Sequence, residues 1–299
     1  MNKLIKLMIA LVLIPFPALA DQLNVAVSVK PIQFIVHEIT QGTAELDLIV
    51  TANASPHDYA LRPSDVKKIK NSDLVIWFGP ELEPFLEKVL SNQPQSLQLS
   101  KDKRLALREF GSGHAHGHEG HGHDHGTHDP HVWLGPDQSK QIAKIVTDKL
   151  SDIDPENKTN YQNNYQQFVT ELEQTLADIT KQLEPVKSQG YYVFHDAYGY
   201  FEEYFSLNNL GQFTVSPERK PGAKTLINIK KTLKTGEVKC VFSEPQFKPS
   251  IITSVTRGTD VGIGVLDPLG TDIPVGKSSY STFLKSMSDS LYGCLSVNK

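Results

Sequence analysis

Residues 154–185, DPENKTNYQNNYQQFVTELEQTLADITKQLEP, decide how the chain is divided. Tyr161, Tyr165, Phe168, Leu172, Leu176, Ile179 and Leu183 recur at spacings of three and four, which places them on one face of a helix. Pro155 breaks the preceding pattern and Pro185 ends this one, so the reading is a helix of roughly seven turns. A helix of that length in mid-chain is a natural connector between two lobes, and we assign residues 151–186 to it.

On either side the pattern is different. Short apolar runs at 23–29, 46–50 and 74–78 read as strands, with helical stripes at 31–39, 64–70, 81–90 and 137–150. Beyond the connector the alternation restarts, with strands at 191–194, 213–215, 238–242 and 261–266. Helices are expected near 197–205, 222–235, 248–257 and 280–292. Short strands alternating with amphipathic helices specify an α/β fold with a parallel sheet. The expected architecture is two lobes, residues 21–150 and 187–299. Each is a mainly parallel sheet with flanking helices, and one long rigid helix joins them.

Residues 1–20 stand apart. Lys3 and Lys6 precede an apolar run at 7–14 that is too short to span a bilayer, and Ala18-Leu19-Ala20 offers small residues for cleavage. We read a signal peptide, hence an exported, periplasmic chain starting at Asp21. No Cys sits at the cleavage point and no later segment is apolar enough to cross a membrane, so no membrane anchor is expected. The chain holds 34 acidic against 30 basic residues with no basic stripe, which argues against a nucleic-acid partner. Its two cysteines, Cys240 and Cys294, are expected to pair in an oxidising compartment.

Histidine carries the chemistry. Of eleven, His114, His116, His118, His121, His123, His125 and His128 fall in a Gly-rich tract at 113–128 that has no large apolar residue to bury. It reads as a loop holding weaker, secondary metal sites. His37 lies within an apolar helix pattern and reads as structural. His57, His131 and His195 remain, in the settings Ser55-Pro56-His57-Asp58-Tyr59, Asp129-Pro130-His131-Val132-Trp133 and Phe194-His195-Asp196-Ala197-Tyr198. His57 and His195 follow expected strands, and ligands of open α/β sheets sit beyond the carboxyl ends of strands. Three imidazoles suit zinc. Asp267 and Glu244 also follow strands, and either completes a tetrahedral site or orients a ligand.

These motifs, with Leu61-Arg62-Pro63-Ser64-Asp65, Glu244-Pro245-Gln246-Phe247 and Leu266-Asp267-Pro268-Leu269-Gly270, closely resemble the zinc-specific solute-binding proteins of bacterial ABC importers, within the wider zinc/manganese receptor family. The likeness runs in order through residues 21–299. It implies Zn2+ held by His57 and His131 from the first lobe and His195 from the second, and delivery to a membrane permease with its ATPase. The expected chain is a monomer and not an enzyme. Some relatives carry a Glu just before the first ligand; here that position is Pro56, which leaves the fourth place to Asp267 or water. Two rival readings are a manganese receptor of the same architecture, which would favour oxygen ligands, and a periplasmic zinc hydrolase, for which no His-Glu-x-x-His helix is present. A zinc chaperone or adhesin without a transporter is separated from the receptor only by the resemblance.

Overall fold

The computed structural model describes residues 22–110 and 128–297, apart from residues 92, 94, 216, 218, 219 and 249. The signal peptide expected over 1–20 and the tract histidines His114 to His125 lie outside the described residues.

Two four-stranded, wholly parallel sheets form the lobes. The first contains β1 (Leu23–Val27), β2 (Ala44–Leu48), β3 (Leu74–Trp77) and β4 (Ser96–Gln98), in the order β2-β1-β3-β4. The second contains β5 (Gly190–His195), β6 (Asn209–Thr214), β7 (Val238–Ser243) and β8 (Gly262–Val265), in the order β6-β5-β7-β8. The two lobes therefore repeat one topology. In each, the first strand lies between the next two, and the chain direction of winding reverses beside it.

The helices are α1 (Lys30–Thr40), α2 (Pro63–Asn71), α3 (Pro84–Leu90), α4 (Pro136–Ile153), α5 (Lys158–Leu183), α6 (Gly199–Phe205), α7 (Ala223–Leu233), α8 (Ser250–Thr256) and α9 (Ser279–Leu295). The first four each have Pro in the opening turn, where its missing N–H leaves no hydrogen bond unmade. A short 3-10 turn, Pro155–Asn157, separates α4 from α5.

Side-chain parity along the strands sorts the core. Val25 and Val27 of β1, and Leu74 and Ile76 of β3, face inward to a large cluster shared with α1, α4, α5 and α9. Ala26, Val75 and Trp77 face outward to a smaller cluster with Ile69 of α2 and Leu86 and Leu90 of α3. The second lobe repeats this: Tyr191 and Val193 join the shared cluster, whereas Tyr192 and Phe194 pack outward with Ile229 of α7 and Ile252 of α8. Alternation with a period of two produces this division. The connector α5 buries Tyr161, Phe168, Leu172, Leu176, Ile179 and Leu183 in the shared cluster and packs on α1, α4 and α9. One apolar core thus runs through both lobes and the helix between them, which is why the connector is a rigid strut.

Cys240 of β7 and Cys294 of α9 form a disulfide, Cα to Cα 6.2 Å. The strand β4 was not legible in sequence because three residues are too few to show a period. The helix expected from residue 81 begins at Pro84. Residues 79–83 instead form a turn in which Gly79 has φ 153° and the buried Glu83 carboxylate accepts from the N–H groups of Phe78 and Gly79. That φ lies in a region L side chains rarely adopt, so the position favours glycine.

Candidate metal site

His195 is the last residue of β5, on the same parity as Tyr191 and Val193. That parity aims it inward, toward the other lobe. Glu244 directly follows β7, the neighbouring strand, so the two groups stand together where the winding of the sheet reverses, the ordinary ligand position of such sheets. His57 comes from the loop after β2. That loop is anchored by the buried Tyr59, whose hydroxyl donates to Asp65 in the first turn of α2 at 2.9 Å, while Asp65 also accepts from Arg62 N. His131 precedes the 3-10 turn Val132–Leu134, which leads into α4.

The three imidazoles converge. His131 Nε2 lies 3.2 Å from His57 Nε2 and 3.3 Å from His195 Nε2. Among the described residues, this is the group of His, Cys, Asp or Glu whose ligand atoms all lie within 4.8 Å of one another. His131 and His195 are almost fully buried, and His57 is half-buried. They line a cavity of about 10 Å3 with Pro56, Trp133, Gln246 and Phe247, room for one water-sized particle.

Each buried ring has a carboxylate behind it. Asp129 Oδ1 meets His131 Nδ1 at 2.7 Å, and Glu244 Oε1 meets His195 Nδ1 at 2.7 Å. A carboxylate can only accept here, so it draws the ring proton to Nδ1 and leaves the Nε2 lone pair pointing at the centre. Burial, reinforced by the charges of His195 and Arg108, holds His131 well below the usual imidazole range. Burial pushes His195 down too, but Glu244, joined by the charges of Asp196 and Asp129, leaves that ring above its ordinary value. Burial lifts the Asp129 carboxyl to about 7, against the hydrogen bond from His131 N and the charge of Arg108.

Asp267 does not belong to the cluster. Its Oδ1 accepts from Leu269 N and Gln246 Nε2, and its Oδ2 accepts from Thr271 N. It caps the 267–271 turn, which docks on the first lobe: Lys30 Nζ donates to Thr271 O at 2.6 Å, Trp133 Nε1 to Pro268 O at 2.8 Å, and Thr271 Oγ1 to Ala52 O at 3.2 Å. Of the tract histidines, only His128 is described; it forms an isolated bridge with Glu109. Sequence reasoning missed Asp129 and Arg108. Asp129 carried a faint signal, an Asx residue two before a histidine; Arg108 carried none.

Two parallel-sheet lobes on one long helix, closing on a buried cluster of three imidazoles, define a two-lobed metal-ligating protein. Comparison with known proteins agrees. The family described as "Zinc-uptake complex component A periplasmic" matches residues 25–294, and the chain belongs to it. The high-affinity zinc uptake system protein ZnuA of Yersinia pestis is 40% identical over 288 residues, covering 91% of each chain. Its counterpart from Haemophilus influenzae is 38% identical over 347 residues, covering 99% of each. A solved structure of a ZnuA shares the fold, with TM-score 0.78, 24% identity, and coverage of 92% of this chain and 99% of the other.

Proposed function

We propose that the chain is a periplasmic receptor that captures one Zn2+ between its lobes through His57, His131 and His195, and passes it to the membrane permease of an ABC importer with its ATPase. The observation that carries this reading is the spacing of the ring nitrogens. Zinc–nitrogen bonds of 2.0–2.1 Å in a tetrahedron set nitrogen–nitrogen edges of about 3.3–3.4 Å. The observed separations are 3.2 and 3.3 Å. Ring nitrogens at that distance can share a proton in the metal-free protein, and a cation at their centre would take the place of that proton as the common partner. The 40% identity to a named zinc uptake protein supports the same cargo.

Three imidazoles and no carboxylate in the cluster favour zinc over manganese, which prefers oxygen. Asp267 is committed to the turn and Glu244 backs His195, and neither joins the cluster, so we assign the fourth place to water. The chain carries no His-Glu-x-x-His helix, so capture fits the site better than hydrolysis. The receptor works as a monomer exported by the leader at 1–20; among the described residues no helix is long and apolar enough to cross a membrane.

Competitive titration of the metal-free protein with zinc and manganese tests the reading. The expected result is one tight zinc site, with manganese weaker by two orders of magnitude or more. A preference for manganese, or no tight zinc site at all, overturns it.

A further inference from the structure

Behind His131 the hydrogen bonding continues away from the cleft centre and crosses to the second lobe. Asp129 divides its carboxylate: Oδ1 holds the ring and backbone N of His131, and Oδ2 faces Arg108 Nη1 at 3.3 Å. Its side chain is fully buried, and that of Arg108 is only 19% exposed. The two residues are also joined through their backbones, Asp129 N donating to Arg108 O at 2.8 Å. Both precede α4, in the first lobe.

The second lobe grips this pair at three points. The buried Tyr200 hydroxyl accepts from Arg108 N at 2.8 Å and donates to Asp129 O at 2.9 Å, so one α6 side chain bridges both backbones. Arg108 Nε donates to Glu203 Oε1, also on α6. The guanidinium lies flat on Gly199, where an added Cβ would fall 2.3 Å from Arg108 Cζ. Arg108 therefore spans the cleft beside the metal site, touching the carboxylate that orients a ligand at one end and α6 at the other.

We propose that Arg108 and Tyr200 are positioning residues that latch α6 to Asp129 and thereby couple contact between the lobes to the orientation of His131 as a zinc ligand. While the lobes touch, the carboxylate is held in line with Nδ1 and the Nε2 lone pair stays on target. When α6 withdraws, Arg108 loses Glu203 and both residues lose the Tyr200 hydroxyl, so the guanidinium that steadies the Asp129 carboxylate is no longer tethered and the ring is freer to turn. Zinc retention then depends on closure for a reason beyond the division of ligands between lobes. The inference rests on the zinc reading above.

The test compares the parent chain with Arg108→Met, Arg108→Lys and Tyr200→Phe. Zinc dissociation constant and dissociation rate are measured by chelator competition, and the metal-free proteins are followed by the His131 Nδ1–H resonance. Partners that orient ligands commonly contribute 10- to 100-fold to metal affinity. Arg108→Met is expected to weaken zinc about 10-fold or more, mainly through faster dissociation, and to broaden or lose the Nδ1–H signal. Tyr200→Phe should do the same more mildly. Arg108→Lys keeps the charge but not the fork and should recover part of the loss. Parent-like dissociation rates and an unchanged resonance in Arg108→Met and Tyr200→Phe overturn the latch. If Arg108→Met fails to fold, the same result in Arg108→Lys and Tyr200→Phe overturns it. A parent chain without a tight zinc site overturns the functional reading instead, while the metal-free resonance still decides whether the latch orients His131.

Discussion

A histidine becomes a strong zinc ligand through what holds its other nitrogen. His131 and His195 are backed by Asp129 and Glu244, each at 2.7 Å, so both rings present a lone pair without rotational freedom. Replacing any one of His57, His131 or His195 by Ala leaves two protein donors, and zinc affinity should fall on the order of 100-fold or more. Asp267→Ala should behave differently. It removes a turn cap outside the cluster, so zinc affinity should change by less than about 10-fold, while stability falls by about 1–2 kcal/mol for the lost hydrogen bonds. Isothermal titration and thermal unfolding separate the two outcomes. A larger zinc defect in Asp267→Ala than in His57→Ala would move the fourth ligand back to that carboxylate.

Single elements carry their own consequences. Glu83, fully buried in the turn that leads from β3 to α3, titrates at about 7, pushed up by burial against hydrogen bonds from Gly79 and Phe78. A carboxyl with a folded pKa above its unfolded value keeps its proton longer in the folded state. The stability it contributes is therefore present at low pH and is lost as pH rises from about 4.5 through 7. Glu83→Gln, uncharged throughout, should match the parent near pH 5 and exceed it at pH 8, by at most about 3 kcal/mol for a shift of that size. Denaturant titration of metal-free protein at both pH values measures this, and a variant no more stable than the parent at pH 8 contradicts it. The Cys240–Cys294 bridge ties β7 to the last turn of α9 across a sequence separation of 54. Closing such a loop lowers the entropy of the unfolded chain by roughly 4 kcal/mol equivalent. Reduction should lower the melting temperature yet leave the zinc stoichiometry at the cleft unaltered, since neither cysteine belongs to the cluster.

Across the whole molecule, the lobes share an apolar core along α5, and the three imidazoles converge where their inner faces meet. An ion held from both sides should stabilise the entire chain by mass action, by about 4 kcal/mol at a thousandfold excess over the dissociation constant. The His-rich tract is a separate matter. Seven histidines in a Gly-rich stretch without large apolar residues are expected, on composition, to give interchangeable donor sets weaker than the preorganised cleft. Deleting residues 113–127 should remove a weak, multi-ion phase from a zinc titration and spare the tight one. Loss of the tight phase would make the tract the principal site.

What the sequence determined by itself is what a few neighbouring residues can encode. The apolar run from Tyr191 to Phe194, the three-and-four spacing from Tyr161 to Leu183, and proline at the starts of helices are local patterns that neighbouring side chains impose on the backbone. They were enough for two α/β lobes on one helix. Positions beyond strand ends nominated His57 and His195, and His131 joined them from the end of the His-rich tract. Tertiary structure decided the remainder: the strand order β2-β1-β3-β4 and its repeat, the edge strand β4, the convergence of rings separated by 64 and 74 positions, and the commitment of Asp267 to a turn. Arg108 shows the reason most plainly. Its partners Tyr200 and Glu203 lie 92 and 95 positions away, and nothing in the residues beside Arg108 distinguishes a cleft-spanning guanidinium from a solvated one. Contacts at such separations are set by how the lobes pack on α5, a property of the whole chain that no short stretch of it contains.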